Sequence, residues 1–246
     1  MLEGMYTAAA GMAAQQTRLD AVSNDLANVD TTGYKHARVA FRDLVYDSAQ
    51  GYGAAKGVKI GAGSAATVLG RSVAQGPVQG TGRSLDVAVN GPGFLQVKLA
   101  DGRTALTRDG NLQTDAQGRL KLHTGQLIEP PIRLPAGTDP ARVGIRADGT
   151  VTVDGSKLGQ LRLVDVPAPG GLQGGPDNTF VATKGSGAIG PADRGTILQQ
   201  GVLEGSNVDT AQAMTDMIEA QRAFQMAGKA ISTQDQILSI ANGVKK

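Results

Sequence analysis

The stretch NDLANVDTTGYK, residues 24–35, marks the place where one periodicity stops and another has not begun. Upstream, Met5, Met12, Leu19 and Leu26 recur at steps of seven. Val22 and Val29, three residues after Leu19 and Leu26, widen the stripe. That spacing predicts a helix over about residues 2–29. Its other positions hold Ala, Gln, Thr, Arg and Asp, which form helix well or sit harmlessly on an exposed face. Within the stretch itself, Asn28, Asp30 and Thr31 can bond the local backbone and so compete with further helix. Gly33 permits the reversal that leads to Tyr34. The segment therefore reads as a corner between a helix and a connecting arm. Asn24 and Asn28, four residues apart on one face, are placed to cap neighbouring backbone or to bond across subunits.

The far end of the chain mirrors this pattern. Asp209 followed by Gln212 resembles a capping box with Asp209 as the N-cap. Beyond it Met217, Phe224, Ile231 and Leu238 again recur every seven residues. Ala213, Ala220, Ala227 and Ala241 repeat beside them, with Gln234 filling the gap, and Gly243 is a plausible stop. Such a line of alternating large and small side chains suits close helix packing.

Between these ends the period changes. GFLQVKLADGRTALTRDGNLQTDAQGRLKL, residues 93–122, alternates short apolar runs with Asp101-Gly102, Asp109-Gly110 and Gln117-Gly118. Asp148-Gly149 and Asp154-Gly155 follow in RADGTVTVDG. Asp-Gly between alternating hydrophobics signals hairpins, because tight turns need positive φ. An antiparallel β domain is expected from about Leu85 to Val166, interrupted by Pro130-Pro131, Pro135 and Pro140. Residues 47–82 and 167–195 are rich in Gly, Ala, Ser and Pro and read as extended connections. The expected class is α+β. Residues 1–30 form an N-terminal helix, 31–82 a connecting arm, 83–200 a central β domain, and 201–246 a C-terminal helix. Each terminal stripe lacks a cover in its own neighbourhood, so the two helices and their copies on neighbouring subunits are its natural partners.

Composition narrows the function. The 246 residues include 24 basic and 22 acidic side chains, and no Lys/Arg run exceeds the terminal Lys245-Lys246. That balance argues against nucleic-acid binding. Cysteine is absent, which removes disulfides, thiolate metal sites and cysteine nucleophiles. The start, MLEGMYTAAAGMAAQQ, lacks a basic n-region and does not read as a cleaved signal peptide. No stretch approaches the length of a membrane-spanning helix.

Motifs for chemistry are scarce. His36 and His123 are the two imidazoles, and both read as solvated surface residues. G-x-S-x-G and Walker A motifs are absent. GYGAAKG, residues 51–57, lacks the strand and helix that a dinucleotide loop requires. Asp30-Thr31-Thr32-Gly33 has no second copy with which to form an aspartic dyad, and the Asp-Gly pairs lack the alternating acids of a calcium loop. No catalytic residue, cofactor or metal is expected. Two rivals from other classes remain: an envelope hydrolase using Asp109 or Asp148 as acid, and an adhesin built on the β domain.

Five blocks carry a family resemblance: LDAVSNDLANVDTTGYK (19–35), FRDLVY (41–46), RSLDVAVNGPGFLQV (83–97), TRDGNLQTDAQGRL (107–120) and the run from GVLEGSNVDT to ILSIAN (201–242). In that order, across almost the whole chain, they resemble the axial proteins of the bacterial flagellum, the rod and hook family of the basal body. The pattern is more similar to the distal-rod members than to the proximal-rod members. The resemblance implies a structural subunit that polymerises into a helical tube, transmits motor torque and encloses the export channel. Its partners would be copies of itself, other rod and hook subunits, the surrounding P and L rings, and the flagellar type III export apparatus. Its place would be the cell envelope, reached without a cleaved signal. Assembly would fall to Met5, Met12, Leu19, Val22, Asn24, Leu26, Asn28, Met217, Phe224, Ile231 and Leu238, with Gly33 and Tyr34 as the connector.

Overall fold

The computed structural model describes residues 2–44, 47–48 and 59–243; for residues 2–3, 47–48 and 59–60 it describes the backbone alone. The GYGAAKG stretch and Lys245-Lys246 lie outside the described residues. The architecture is α+β, with a helix at each end and antiparallel strands between them. The described residues fall into two compact units. One, here the helical unit, lies within Met1–Leu26, Ala37–Leu69 and Asp209–Lys246. The other, the β unit, comprises Ala27–His36 and Gly70–Val208. Neither helix among the described residues is long and apolar enough to cross a membrane.

In the helical unit, α1 (Leu2–Ala27) and α2 (Thr210–Gly243) run antiparallel. Arg18 Nη2 reaches Asp216 Oδ1 at 3.0 Å and Glu219 Oε2 at 3.4 Å. Further along, a Cβ placed on Gly228 would lie 3.7 Å from Met12 Sδ. Alanines form the deepest line of the pair, with Ala14, Ala213 and Ala220 buried. Small side chains let two helix backbones approach closely, since the interaxial distance follows the side chains at the contact. Asp209 caps α2: its carboxylate accepts from the N–H groups of Ala211 at 2.9 Å and Gln212 at 3.1 Å. The reciprocal half of the expected capping box is missing, because the Gln212 side chain turns forward to Asp216. At the other helix, Asp25 is buried, and its carboxylate accepts the N–H of Ala37 at 3.0 and 3.2 Å. That bond fixes the start of strand Ala37–Asp43, which pairs with Ser64–Arg71.

The β unit is built on antiparallel pairs. Its largest sheet runs Gln173–Gly174, Thr179–Val181, Thr104–Thr107, Phe94–Lys98, Leu127–Ile128, Leu120–Leu122 and Leu112–Thr114, with Leu163–Asp165 also paired to Phe94–Lys98. A three-stranded sheet, Val143–Ile145 with Thr150–Val153 and Ser156–Gln160, closes the main core against it. Val87, Val89, Val97, Leu112, Leu120, Leu122 and Val151 in that core are fully buried. Burying each such side chain contributes about 1.5–3 kcal/mol before entropy is counted. A smaller cluster gathers Phe94, Leu106, Val164, Val166, Leu172 and Phe180, with the two Phe rings tilted and 5.8 Å apart.

Two expectations need correction. Residues 31–82 are not simply an arm: beside the Ala37–Asp43 and Ser64–Arg71 pair, Val78–Gly80 pairs with Val202–Glu204. Consequently residues 201–208 belong to the β unit, and the C-terminal helix begins at Thr210. The partners are far apart in sequence, so local composition could not reveal them. The second correction concerns Asp-Gly turns. Gly102, Gly118, Gly149 and Gly155 hold positive φ, as expected at tight turns. Gly110 does not; it lies flat beneath Val87, whose N–H donates to Gly110 O at 3.0 Å. Arg108-Asp109-Gly110 is a buried crossing, not a hairpin tip.

Candidate functional site

The corner at residues 27–36 is embedded in the β unit. Helix gives way there because Thr31 N–H and Tyr34 N–H take the turn-forming partners Asn28 O and Thr31 O, at 3.2 and 3.3 Å. Thr31 Oγ1 adds a bond to Asn28 Oδ1 at 3.1 Å. Gly33 then adopts φ +65° and lies flush on the buried crossing. A Cβ at this position would stand 2.5 Å from Arg108 C and 2.7 Å from Asp109 N. Its N–H donates to Glu204 O at 2.8 Å.

Side chains lock the corner from three directions. Thr32 Oγ1 donates to Asp109 Oδ1 at 2.8 Å, and Asn178 Nδ2 donates to Thr32 O at 2.8 Å. Tyr34 is buried under Arg71, whose guanidinium lies 4.8 Å from the ring centroid and whose Nη1 donates to Lys35 O. Asn207 brackets the exit. Its N–H donates to Tyr34 O at 3.2 Å, its Oδ1 accepts His36 N–H at 2.8 Å, and its Nδ2 donates to Ala74 O.

At the centre sits a fully buried charge cluster. Glu204 Oε1 meets Lys35 Nζ at 2.5 Å, and Oε2 meets Arg108 Nη1 at 3.1 Å. Lys35, Arg108 and Glu204 are 2%, 3% and 1% exposed. Two cations face one carboxylate, and backbone carbonyls balance the excess. Lys35 Nζ donates to Ala74 O, Arg108 Nη2 to Gly91 O, and Arg108 Nη1 also to Val89 O. Gly76 N–H donates to Glu204 Oε1 at 2.9 Å. The Arg108 guanidinium also lies over the Phe94 ring, 5.3 Å from its centroid, an added attraction of the cation–π kind.

Burial pulls the Lys35 ammonium below its ordinary 10.5, outweighing the upward pull of Glu204, and Arg108 lowers it further. The folded protein thus releases this proton at a lower pH than the unfolded chain does. In the window up to 10.5 the unfolded state binds more protons, so stability rises with pH. Relative to Lys35→Met, the wild type is expected to gain stability as pH rises towards 10.5, measured by urea unfolding across alkaline pH.

The residues expected to mediate assembly fall in two places. Met5, Met12, Leu19, Val22 and Leu26 on α1, and Met217, Phe224, Ile231 and Leu238 on α2, are all half-buried; Asn24 is exposed. Asn28, Gly33 and Tyr34 meet at the corner. Lys35, Arg108, Glu204 and Asn207 are not marked by the sequence as site residues, and Asp109, a candidate acid there, serves instead as a buried anchor of the corner. Their signal was faint: isolated charges in TTGYK, TRDG and VLEGSN, whose mutual contact only the fold reveals. Both histidines also belong here. His36 Nδ1 lies 3.2 Å from Asn207 Oδ1, and His123 Nδ1 lies 3.0 Å from Oδ2 of the buried Asp109. They are partnered, not merely solvated. The carboxyls considered as catalytic acids are similarly tied. Asp109 bonds Thr32, His123 and Asn111 N–H. Hydrogen bonds from Thr150 hold the Asp148 carboxyl below its usual range, the reverse of what a proton donor needs.

Comparison with known proteins is consistent along the chain. Residues 5–35 match the family described as "Flagella basal body rod protein", residues 88–153 "Flagellar hook protein FlgE/F/G D1 domain", and residues 199–244 "Flagellar basal body rod FlgEFG protein C-terminal". The charge cluster draws one member from each match: Lys35, Arg108 and Glu204. Among similar relatives, the "Flagellar basal-body rod protein FlgG" of Borreliella burgdorferi is 37% identical over 100% of both chains. The protein of the same name from Caulobacter vibrioides is 35% identical over 99% of this chain and 100% of its own. The "Flagellar hook-basal body complex protein FlhP" of Bacillus subtilis is 32% identical over 100% of both.

Proposed function

Because the chain belongs to the family of flagellar basal-body rod proteins, we propose that it works as a load-bearing subunit of the distal rod. It is a structural protein of the flagellar basal body. The finer assignment to the distal rod rests on full-length similarity to proteins named FlgG. In this reading the terminal helices build a helical tube around the export channel. The stripe residues Met5, Met12, Leu19, Val22, Leu26, Met217, Phe224, Ile231 and Leu238 hold that tube together, with Asn24 and Asn28 bonding at its margin. The neighbours are other rod and hook subunits and the P and L rings. The type III apparatus delivers the chain to the envelope without cleavage, and no catalytic step is assigned to it.

The observation that carries this reading is the doubly anchored corner. The segment leaving α1 and the segment entering α2 are bonded to each other inside the β unit, through Gly33–Glu204, Lys35–Glu204 and Tyr34–Asn207. A subunit that transmits torque needs both helix connections clamped, so that load does not peel one away. Apolar stripes repeated around a tube then add their contributions at about 25 cal/mol per Å² buried, and an open head-to-tail interface extends as a filament.

Leu26→Asp or Ile231→Asp is expected to abolish rod assembly while leaving the β unit folded. Electron microscopy of basal bodies would read the first effect and circular dichroism of the purified chain the second. Normal rods with both variants would overturn the reading.

A further inference from the structure

The charge cluster also holds a reactive arrangement that clamping alone does not use. Lys35 is buried, and burial pulls its ammonium below the ordinary value, which favours the neutral, nucleophilic amine. Its Nζ lies 2.5 Å from Glu204 Oε1, a carboxylate able to take a proton from it. A side-chain carboxamide stands beside the same amine. Lys35 Nζ and Asn207 Nδ2 donate to one carbonyl oxygen, that of Ala74, at 2.7 and 2.9 Å. Nucleophile, proton carrier and electrophile are thus gathered around a single main-chain atom, although they come from distant positions in the sequence.

The rest of the carboxamide is held as an acyl group under attack needs to be. His36 N–H donates to Asn207 Oδ1 at 2.8 Å, and His36 Nδ1 lies 3.2 Å from the same oxygen. A fixed donor at that distance suits the negative charge that develops on a carbonyl oxygen during acyl transfer. Asn207 N–H donates to Tyr34 O at 3.2 Å, so the main chains of the two segments are already in register. Holding the amine and the carboxamide side by side makes their reaction effectively unimolecular.

We propose that Lys35 and Asn207 join in an amide bond inside the folded chain. Lys35 Nζ gives a proton to Glu204 Oε1 and attacks Asn207 Cγ with the lone pair so freed. The carbonyl electron pair moves onto Oδ1, facing His36 N–H, and then returns as the Cγ–Nδ2 bond breaks. Glu204 relays the two protons that Nζ sheds to the departing nitrogen, which leaves as ammonium, and the carboxylate is regenerated. No oxidant, cofactor or further reactant enters. The Lys35–Glu204 ion pair is the reactant state. The product ties the segment leaving α1 to the segment entering α2 by a covalent bond. The inference stands on the geometry of the corner and does not need the rod reading.

The test is mass spectrometry of the purified full-length chain, incubated folded at mildly alkaline pH and then digested with trypsin. The expected chain is lighter than its sequence by one ammonia. Its digest should contain a branched peptide that joins residues 19–38 to residues 195–222 and stays uncut after Lys35. A chain kept in urea should lack that peptide. Lys35→Arg, which keeps the cation, should abolish it. Glu204→Gln, once circular dichroism shows it folded, should slow its appearance by at least about a hundredfold, the loss expected for a missing proton carrier. If Glu204→Gln does not fold, the wild-type mass decides alone. A folded wild-type chain that keeps its full mass, or one that loses ammonia while every peptide stays linear, would overturn the proposal.

Discussion

Glu204→Ala is expected to be the most damaging single substitution in the β unit, costing about 3–5 kcal/mol. Removing one partner of a buried ion pair leaves an uncompensated charge, and that is the usual penalty. Here the loss is aggravated because two cations remain. Lys35 Nζ and Arg108 Nη1 both face Glu204, and without it they repel in a space from which water is excluded. Lys35→Met should be milder, since it leaves Arg108 and Glu204 as a matched pair. For a unit of this size a kilocalorie shifts Tm by about 2–4 °C, so Glu204→Ala should melt roughly 10 °C lower or more. Thermal and urea unfolding of the purified chain would measure both variants. A loss below about 1 kcal/mol for Glu204→Ala, or a larger loss for Lys35→Met, would show that the carboxylate is not the keystone of the cluster.

Gly33→Ala is the second large effect, with an expected cost of about 2–4 kcal/mol. Two terms contribute. The φ of +65° disfavours any L side chain, a strain of about 1 kcal/mol. The new Cβ would also collide with main-chain atoms of Arg108 and Asp109, which cannot rotate aside as a flexible side chain would. Overpacking of that kind costs about 1–3 kcal/mol. To relieve it, the corner must lift, which breaks the Gly33 bond to Glu204 O. Gly82 offers an internal control: its φ is +69°, but no atom lies within 4 Å of its would-be Cβ. Gly82→Ala should therefore lose only the strain term. Equal losses at the two positions would mean that close approach contributes nothing.

Much of the architecture was legible because it is written in short-range signals. The stripe at Met217, Phe224, Ile231 and Leu238 announces α2, and Asp209 caps it as its position suggested. Gly102, Gly118, Gly149 and Gly155 sit at tight turns, as Asp-Gly and Gln-Gly implied. What escaped notice is long-range. Val78–Gly80 looks like Gly-rich filler until its partner Val202–Glu204 is known. Asp109-Gly110 carries the same local signal as Asp101-Gly102, but tertiary packing against Val87 overrides it. The corner was recognised through Gly33 and Tyr34. The reason for its rigidity was not, because Lys35, Arg108 and Glu204 each look like ordinary charges until they meet. The rod family was recognisable from its blocks, and the fold supplies the bonds that connect them.

The charge cluster also sets a schedule for folding. Lys35 and Glu204 are separated by 169 positions and Arg108 and Glu204 by 96. Closing the longer of these loops costs about 4.5 kcal/mol of chain entropy, and contacts between such distant positions slow the search for the native state. A chain that emerges from its amino end first has its N-terminal helix, its corner and most of its sheets available while the position opposite Lys35 still lacks an anion. The knot ties only when residue 204 arrives. Until then burying Lys35 and Arg108 without their carboxylate is strongly unfavourable, so the cluster can close only with Val202–Glu204, the last strand of the β unit.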